Sequence, residues 1–185
     1  VTARPLNALG GHGVTAEVFY DNVRVPKSNL VGEIHKGWYQ LMATMDRERS
    51  GASLWMVGIA QGAFDLALQY AKERVQFGQP IGKFQAIQHY FADMATEIEM
   101  ARLLGYKVAW MESRHIPCNK EAAMAKLVAG EVAKSTAIKC MRIMGGYGYM
   151  MEYDIQRYLR KAMVLTIVAG TSEIQKNIIA KNLGL

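Results

Sequence analysis

The chain has 185 residues, 51% of them apolar, and a formal net charge of +6 from 22 basic and 16 acidic residues. This length suits one domain or slightly more, and the apolar share is enough to form a sizeable core. Acidic and basic residues are interleaved, and no dense run of Lys and Arg indicates a nucleic-acid surface, so we expect no nucleic-acid partner. We also expect no membrane partner, since no apolar run reads as long enough to cross a bilayer.

The basic excess fits a phosphate-bearing ligand better than a polynucleotide, although a charge balance for solubility explains it equally well. The two cysteines, Cys118 and Cys140, lack the spacing of metal ligands. We therefore expect no metal site and a reduced, intracellular protein, located in the cytoplasm or in a mitochondrial matrix. The chain begins at Val1 within a region that reads as part of a strand domain. We therefore expect it to be a fragment of a longer polypeptide.

Residues 1–35 have the pattern of β structure. Gly10–Gly13 reads as a turn, and apolar and polar residues then alternate over Val14–Tyr20 with a period of two. Asp21-Asn22 is a second turn signal, and Val23–Val25 reads as a short strand. We interpret this region as the last hairpin of a β domain.

The apolar period becomes helical from Gly37 onward. The first helix is predicted from Gly37 to Arg74, and later helices over 84–113, 120–144 and 154–168, with a last one capped by Thr171-Ser172 and ending near Leu183. Long helices joined by short turns predict a mainly α protein whose residues 36–185 form an antiparallel helical bundle.

Three of these helices have a predicted inward face. The first helix carries an apolar stripe made of Leu41, Met45, Ala52, Trp55, Ile59, Ala63, Leu66 and Tyr70. The second face consists of Ile87, Phe91, Met94, Ile98, Ala101, Gly105 and Val108, and the third of Ala122, Ala123, Ala125, Ala129, Ala133 and Ala137. Glu48 and Arg49 fall within the first stripe, where Glu48 is either a functional buried carboxylate or a residue that reaches solvent at the edge of the stripe.

Three junctions between helices combine glycine with polar residues. They are Arg74–Gly78 followed by Phe84-Gln85, then Arg142–Tyr149, and finally Ala169–Gln175. Glycine allows a ligand to lie against the backbone, and the N–H groups at a helix start favour an anion such as pyrophosphate. Each junction alone is an ordinary helix terminator. Together they suggest a shared nucleotide site.

These segments carry a resemblance to a known family. The chain resembles the C-terminal part of the acyl-CoA dehydrogenase family over nearly all of its 185 residues. The matching segments are, in chain order, Val23–Pro26, Asn29–Gly32, Gly37-Trp38, Asp46-x-x-Arg49, Arg74-x-x-Phe77-Gly78, Phe84-Gln85, Lys126, Gly145-Gly146-x-Gly148, Arg160 and Gly170–Gln175.

The resemblance implies a helical C-terminal domain that builds a dimer or tetramer and completes a site for FAD. Family members use the Arg-x-x-Phe-Gly segment and the glutamine eight residues after its Phe to reach the FAD of a neighbouring subunit. The corresponding residues of this chain are Arg74, Gln76, Phe77 and Gln85.

The two later junctions are also implied to contact the flavin nucleotide. The residues concerned are Gly145, Gly146, Thr171 and Glu173. The chain departs from the family at Arg142, where a Gln is common. Its cation either meets the FAD phosphates or leaves this contact altered.

A second departure from the family pattern implies where the catalytic base lies. Most family members place a Glu directly before the last Gly-Thr, where this chain has Ala169, which cannot accept a proton. Isovaleryl-CoA and long-chain acyl-CoA dehydrogenases instead place the base in an Asp-x-Glu-Arg segment, which resembles Asp46–Arg49. Glu48 is therefore the expected base, with Asp46 and Arg49 as substrate-binding residues, although a salt bridge from Arg49 to a neighbouring acid is an equally good account.

The implied activity is the α,β-dehydrogenation of an acyl-CoA thioester, in which FAD accepts the β-hydride and an electron-transfer flavoprotein receives the electrons. Two alternatives stay open. One is a family flavoprotein that acts on a substrate other than an acyl-CoA. The other is an inactive oligomerisation or FAD-binding module, which is the favoured expectation for the isolated fragment.

Overall fold

The computed structural model describes the backbone of all 185 residues and the side chains of all except Ala43, Asp46 and Arg47. The chain divides into two compact units, Val1–Met45 and Asp46–Leu185. The division falls within the first helix, α1 (Gly37–Glu73).

The first unit contains one antiparallel hairpin. Strand β1 (Thr2–Ala8) pairs with β2 (Gly11–Phe19), with Thr2 opposite Phe19. The predicted alternating strand is therefore confirmed, but its partner precedes it. The prediction of a strand at Val23–Val25 is wrong, because these residues pair with no strand of the described backbone and lead through Pro26 into a 3-10 turn. Proline lacks the N–H that a strand ladder needs.

The remainder of the chain is helical, which confirms the mainly α fold. After α1 come α2 (Gln85–Ser113), α3 (Asn119–Met144), the single turn α4 (Gly146–Tyr149), α5 (Ile155–Leu165) and α6 (Ser172–Asn182). Two very short strands, β3 (Val75–Gln76) and β4 (Gln79–Pro80), form a tight hairpin between α1 and α2.

Helix α5 is shorter than predicted. It ends at Leu165 rather than near residue 168. The reason is the following turn, in which Ala169 and Gly170 both adopt left-handed backbone angles, with φ of 54° and 83°. No α-helix continues through residues with positive φ.

Helix α3 lies at the centre of the second unit and contacts α2, α4, α5 and α6. Its predicted alanine face is confirmed, since all six alanines are fully buried. Three apolar clusters follow one another along this helix. They contain, from its start to its end, Val108, Ala122 and Ala125; then Met56, Ile98, Ala129, Ala133 and Leu165; then Ala71, Met94, Cys140, Met144 and Ile155.

The order of these clusters gives the direction of each helix. Residues of α1 meet α3 in the same order as they occur in the chain, so α1 runs parallel to α3. Residues of α2 and of α5 meet α3 in the reverse order, so these two helices run antiparallel to it. The inward face predicted for α2 is confirmed, because Met94, Ile98 and Ala101 are buried in these clusters.

The inward face of α1 agrees only in part with its predicted stripe. Ala63 is fully buried, and Ala52, Ile59, Leu66 and Tyr70 are partly buried against the core clusters. The fully buried apolar residues of this helix are Met56, Ala60, Ala63, Ala67 and Ala71. Leu41 and Trp55 were expected inside but are 51% and 46% exposed. The small alanines face inward because they allow α3 to approach closely, while the Trp55 ring lies at the margin, 5.0 Å from the Lys161 ammonium.

The expectation that no apolar run is long enough to cross a bilayer needs correction. The segment Glu48–Glu73 of α1 is 26 residues long and is apolar enough to cross a membrane by length and composition alone. A third of its most apolar window is buried within the described part of the bundle. Alanines of this segment, together with Met56 and Val57, lie in the apolar clusters that also contain residues of α3.

The alanine face gives a stability prediction. Ala133→Leu should lower the free energy of unfolding by roughly 1–3 kcal/mol, because the added methylenes have no space between α3 and its neighbours. The matched control is Ala95→Leu at an exposed position of α2, which should stay within about 0.5 kcal/mol of the parent chain. Urea unfolding followed by circular dichroism measures both, and equal effects would contradict close packing at α3.

Candidate functional site

The end of α3 and the end of α1 form an open cleft of about 530 Å³. Arg74 and Gln76 line it from one side, and Gly145 and Gly146 from the other. The structure therefore brings together two of the three glycine-bearing junctions. The cleft combines a cation, an amide and exposed backbone beside apolar walls, which suits a flat, phosphate-bearing ligand.

Arg74 is held in place at this cleft. Its guanidinium carbon lies 5.0 Å from the centroid of the Tyr147 ring, and its backbone N–H donates to the Tyr70 carbonyl. Burial raises the pKa of Tyr70, while the Arg74 charge opposes that rise. Stacking on an aromatic ring leaves the donors at the rim of a guanidinium available to an anion.

Gly145 ends α3 with a left-handed backbone, φ 61°. A Cβ added at Gly145 or at Gly146 would meet no described heavy atom within 4 Å. The space beside both glycines is therefore open, so a ligand could lie directly against this backbone.

Three other predicted residues point away from the cleft. Phe77 is 93% exposed at the tip of the β3–β4 hairpin, where its ring meets the Phe84 ring edge-on at 6.1 Å. Gln85, at the start of α2, and Arg142, near the end of α3, are also exposed. Among the described side chains, none of these three lines the cleft. They face outward, as residues that contact another molecule would.

The third junction lies elsewhere, at the start of α6. Thr171 caps this helix, since its hydroxyl oxygen accepts the Ile174 N–H at 3.3 Å. Glu173 is exposed in the first turn of α6, and the pKa of its carboxyl is lowered by its own backbone N–H and by the Thr171 hydroxyl. A helix start of this kind carries N–H groups and a partial positive charge.

Two buried residues support this junction, and both belong to the matching segments although the sequence pattern assigned them no role. Lys126 is 1% exposed, and its ammonium donates to the Gly170 carbonyl at 2.6 Å. Gln175 is fully buried and donates to the carbonyls of Ala169 and Gly170 at 3.2 and 3.0 Å. The available signal was a lysine within a run of alanines, which is unusual for a buried helix face.

The two parts of the candidate site are far apart in one chain. Lys126, beside the third junction, and Met144, beside the cleft, are 18 residues apart in α3. At 1.5 Å per residue this separation is about 27 Å. In a single chain the first two junctions line one cleft and the third lies beside the first half of α3, so a site shared by all three stays a prediction.

Helix α1 brings Arg49 to the same end of α3 as the third junction. Burial lowers the pKa of Lys126, Glu131 and Glu173 oppose this shift, and the charge of Arg49 adds to it. Arg49 is 9% exposed. Arg49 and the turn at Ala169-Gly170 therefore both lie near Lys126.

The side chain of Glu48 lies at the surface of this chain. The buried side of α1 runs through Arg49, Ser53 and Met56 instead, so Glu48 is not part of the buried face as predicted. Its role as the base stays a prediction. The side chain of Asp46, the other expected acidic site residue, lies outside the described side chains.

These contacts define a helical bundle with a cleft at the end of its central helix and a capped turn beside the first half of that helix. A family model of the acyl-CoA dehydrogenase C-terminal domain matches residues 35–184. The chain belongs to the acyl-CoA dehydrogenase family.

Individual relatives agree with this membership. A probable acyl-CoA dehydrogenase of Bacillus subtilis is 48% identical over 180 residues, which are 97% of this chain and 47% of that protein. A subunit of the caffeyl-CoA reductase-Etf complex of Acetobacterium woodii is 44% identical over 166 residues, covering 90% of this chain and 44% of the relative. The crystal structure of an acyl-CoA dehydrogenase from Geobacillus kaustophilus is similar at a TM-score of 0.93 and 39% identity, covering 98% of this chain and 48% of the other. This chain thus spans about half the length of the relatives it matches.

The cap of α6 gives a prediction with a pH dependence. Thr171→Val should cost roughly 1 kcal/mol of stability and raise the pKa of Glu173 towards its ordinary value, because the hydroxyl that bonds both groups is lost. The lowered pKa stabilises the folded chain above pH 4.5, and this contribution is lost as the pH falls through the folded-state value. The variant should therefore lose less stability than the parent on acidification.

Carbon-13 NMR titration of the Glu173 carboxyl measures this effect. Thr166→Val is the matched control, because the Thr166 hydroxyl donates to the Met163 carbonyl. A pKa of Glu173 that stays the same in Thr171→Val would contradict the assigned hydrogen bond.

Proposed function

We propose that this chain is the C-terminal part of an FAD-dependent acyl-CoA dehydrogenase, in which Glu48 removes the α-proton of an acyl-CoA thioester. Family membership supports the class of enzyme. The observation that carries the proposal is the pair of surfaces suited to a nucleotide, one in the cleft at the end of α3 and one at the turn beside Lys126.

The residues present fit the FAD that the family implies. The cleft offers the Arg74 guanidinium for a phosphate and a backbone without side chains at Gly145 and Gly146. The start of α6 offers the partial positive charge of a helix N-terminus beside Thr171. Because these parts are about 27 Å apart in one chain, we propose that each FAD lies between two copies of the protein in a dimer or tetramer.

The outward-facing residues support this arrangement. Phe77 is almost completely exposed on a rigid hairpin tip, where both Phe77 and Gly78 adopt left-handed angles. A large apolar side chain in such a position is costly to leave in water. We propose that Phe77 and Gln85, together with Arg74, contact the FAD held mainly by a neighbouring copy.

The chemical step requires a base and a way to stabilise negative charge. When bound, FAD supplies the acceptor for the β-hydride. The α C–H of a thioester is a weak acid, which becomes removable when hydrogen bonds stabilise the charge that develops on the carbonyl oxygen. Glu48 lies at the end of the bundle where Ala169 replaces the usual base, so its carboxylate takes this proton. Arg49 and Asp46 position the substrate beside it.

A second candidate function is the reverse of this dehydrogenation, the reduction of an unsaturated acyl-CoA. One relative at 44% identity is named as part of a caffeyl-CoA reductase-Etf complex, so this family fold also serves reduction of an unsaturated acyl-CoA. The same base position would then donate a proton to the α-carbon. In either direction we propose an electron-transfer flavoprotein as the redox partner. Assays with a saturated acyl-CoA and with its 2-enoyl counterpart distinguish the two, because the preferred substrate identifies the physiological direction.

The assignment of the base predicts a large loss of activity. In a flavin-loaded enzyme that contains this chain, Glu48→Gln should slow bleaching of the flavin absorbance by acyl-CoA about 10²- to 10⁴-fold while FAD stays bound. Asp65→Asn is the matched control on the same helix, since Asp65 is exposed and bonds only Gln61 among the hydrogen bonds of the described side chains. Near-normal bleaching in Glu48→Gln would refute the assignment.

The shared site predicts complementation between defective copies. Arg74→Met and the double variant Thr171→Val/Glu173→Gln should each lose FAD binding. Mixed dimers of the two contain one site in which both parts are intact, so random mixing should restore about a quarter of the parent sites. Flavin content after co-refolding measures this recovery. No recovery would mean that both parts of a site come from one copy.

A further inference from the structure

We propose that Lys126 and Gln175 are positioning residues that hold the turn at Ala169–Thr171 in its nucleotide-binding form before the nucleotide arrives. This inference rests on the proposed function, in which the start of α6 meets the FAD. It assigns a role to two buried polar side chains that the mechanism does not otherwise use.

The turn has an unfavourable backbone that needs support. Ala169 and Gly170 are consecutive left-handed residues, with φ of 54° and 83°. Glycine adopts this conformation readily, whereas alanine does so only at a cost in free energy, because its Cβ crowds the following carbonyl. Such a turn persists when surrounding contacts determine it.

Three hydrogen bonds from buried side chains provide those contacts. The Lys126 ammonium reaches the Gly170 carbonyl from α3 at 2.6 Å, and the Gln175 amide reaches both carbonyls of the turn from α6. The other side is closed by the Ser172 N–H, which donates to the Thr166 carbonyl at 3.0 Å. Because Lys126 is 1% and Gln175 is 0% exposed, water cannot replace these donors.

The charge environment of Lys126 fits this role. Burial lowers the pKa of the ammonium, while Glu131 and Glu173 favour the charged form and Arg49 disfavours it. Glu131 itself accepts from the Ser172 hydroxyl at 2.8 Å. The ammonium is therefore linked to the first turn of α6 through its bond to Gly170 and through the acidic groups around it. A desolvated ammonium depends strongly on the acceptors that remain.

The cleft at the C-terminal end of α3 differs from this turn in how closely side chains pack against its glycines. A Cβ at Gly170 would meet the Gln175 amide nitrogen at 2.7 Å, whereas one at Gly145 would meet no described atom within 4 Å. Buried side chains therefore support the turn before α6, whereas the backbone at Gly145 borders open space. We infer that the part at α6 is preformed, so that FAD binding does not have to order it.

Amide hydrogen exchange and FAD binding test this proposal together. Lys126→Met should speed exchange of the Ser172 amide in the 185-residue chain roughly tenfold or more, with no change at the Gly148 amide. In the flavin-loaded enzyme the same variant should raise the Kd for FAD by a similar factor. Lys126→Arg, which keeps a charged donor, should recover part of both effects.

The matched control is Lys139→Met, on the same helix. Lys139 pairs with Glu97 of α2 at 3.1 Å, at a distance from the turn. It should leave Ser172 exchange and FAD binding unchanged. A folded Lys126→Met chain with parental exchange at Ser172, or a flavin-loaded Lys126→Met enzyme with a parental Kd, would overturn the proposal.

Two further measurements keep the test decisive. If Lys126→Met does not fold, Gln175→Met should show the same faster exchange at Ser172. A folded Gln175→Met chain with parental exchange at Ser172 would overturn the proposal. If the parent enzyme binds no FAD, the proposed function fails, while the exchange measurements still decide whether Lys126 and Gln175 hold the turn.

Discussion

The close packing of the alanine face of α3 is the constraint on which the rest of the structure depends. Alanine carries no side chain beyond Cβ, so the backbones of α1, α2 and α5 lie near the α3 axis and their order along it is fixed. This order decides which junction meets which end of α3. The Arg74 segment meets the end at Gly145, and the start of α6 meets the first half of α3 at Lys126.

The proposed divided site follows from that geometry. The part of α3 between Lys126 and Met144 separates the two surfaces that we propose for the nucleotide. One chain presents each of these surfaces once. In the proposed arrangement a second copy supplies the surface that the first copy lacks at each site, and assembly is then a condition of FAD binding.

The sequence predicts this fold well where packing and propensity agree. The faces of α2 and α3 follow from helical spacing alone, and both are buried as expected. The face of α1 follows only in part, because larger residues such as Trp55 were better core candidates by size than Ala60 and Ala67. The hairpin partner was also misassigned, since alternation identifies a strand but not the strand with which it pairs.

Some site residues could be identified from the sequence, and the roles of others could not. Arg74, Gly145 and Thr171 could be identified from local motifs, because glycine and helix caps have local signatures. The role of Lys126 and Gln175 could not be identified, because it depends on a turn that lies 44 residues after Lys126 and is brought to it only by the tertiary fold. Spacing in one chain also cannot show which parts of α3 two motifs contact. The most direct test of the account is a crystal structure of the flavin-loaded assembly. The account predicts that Arg74 and Thr171 around each FAD belong to different copies, and a flavin contacted by both residues of one copy would contradict it.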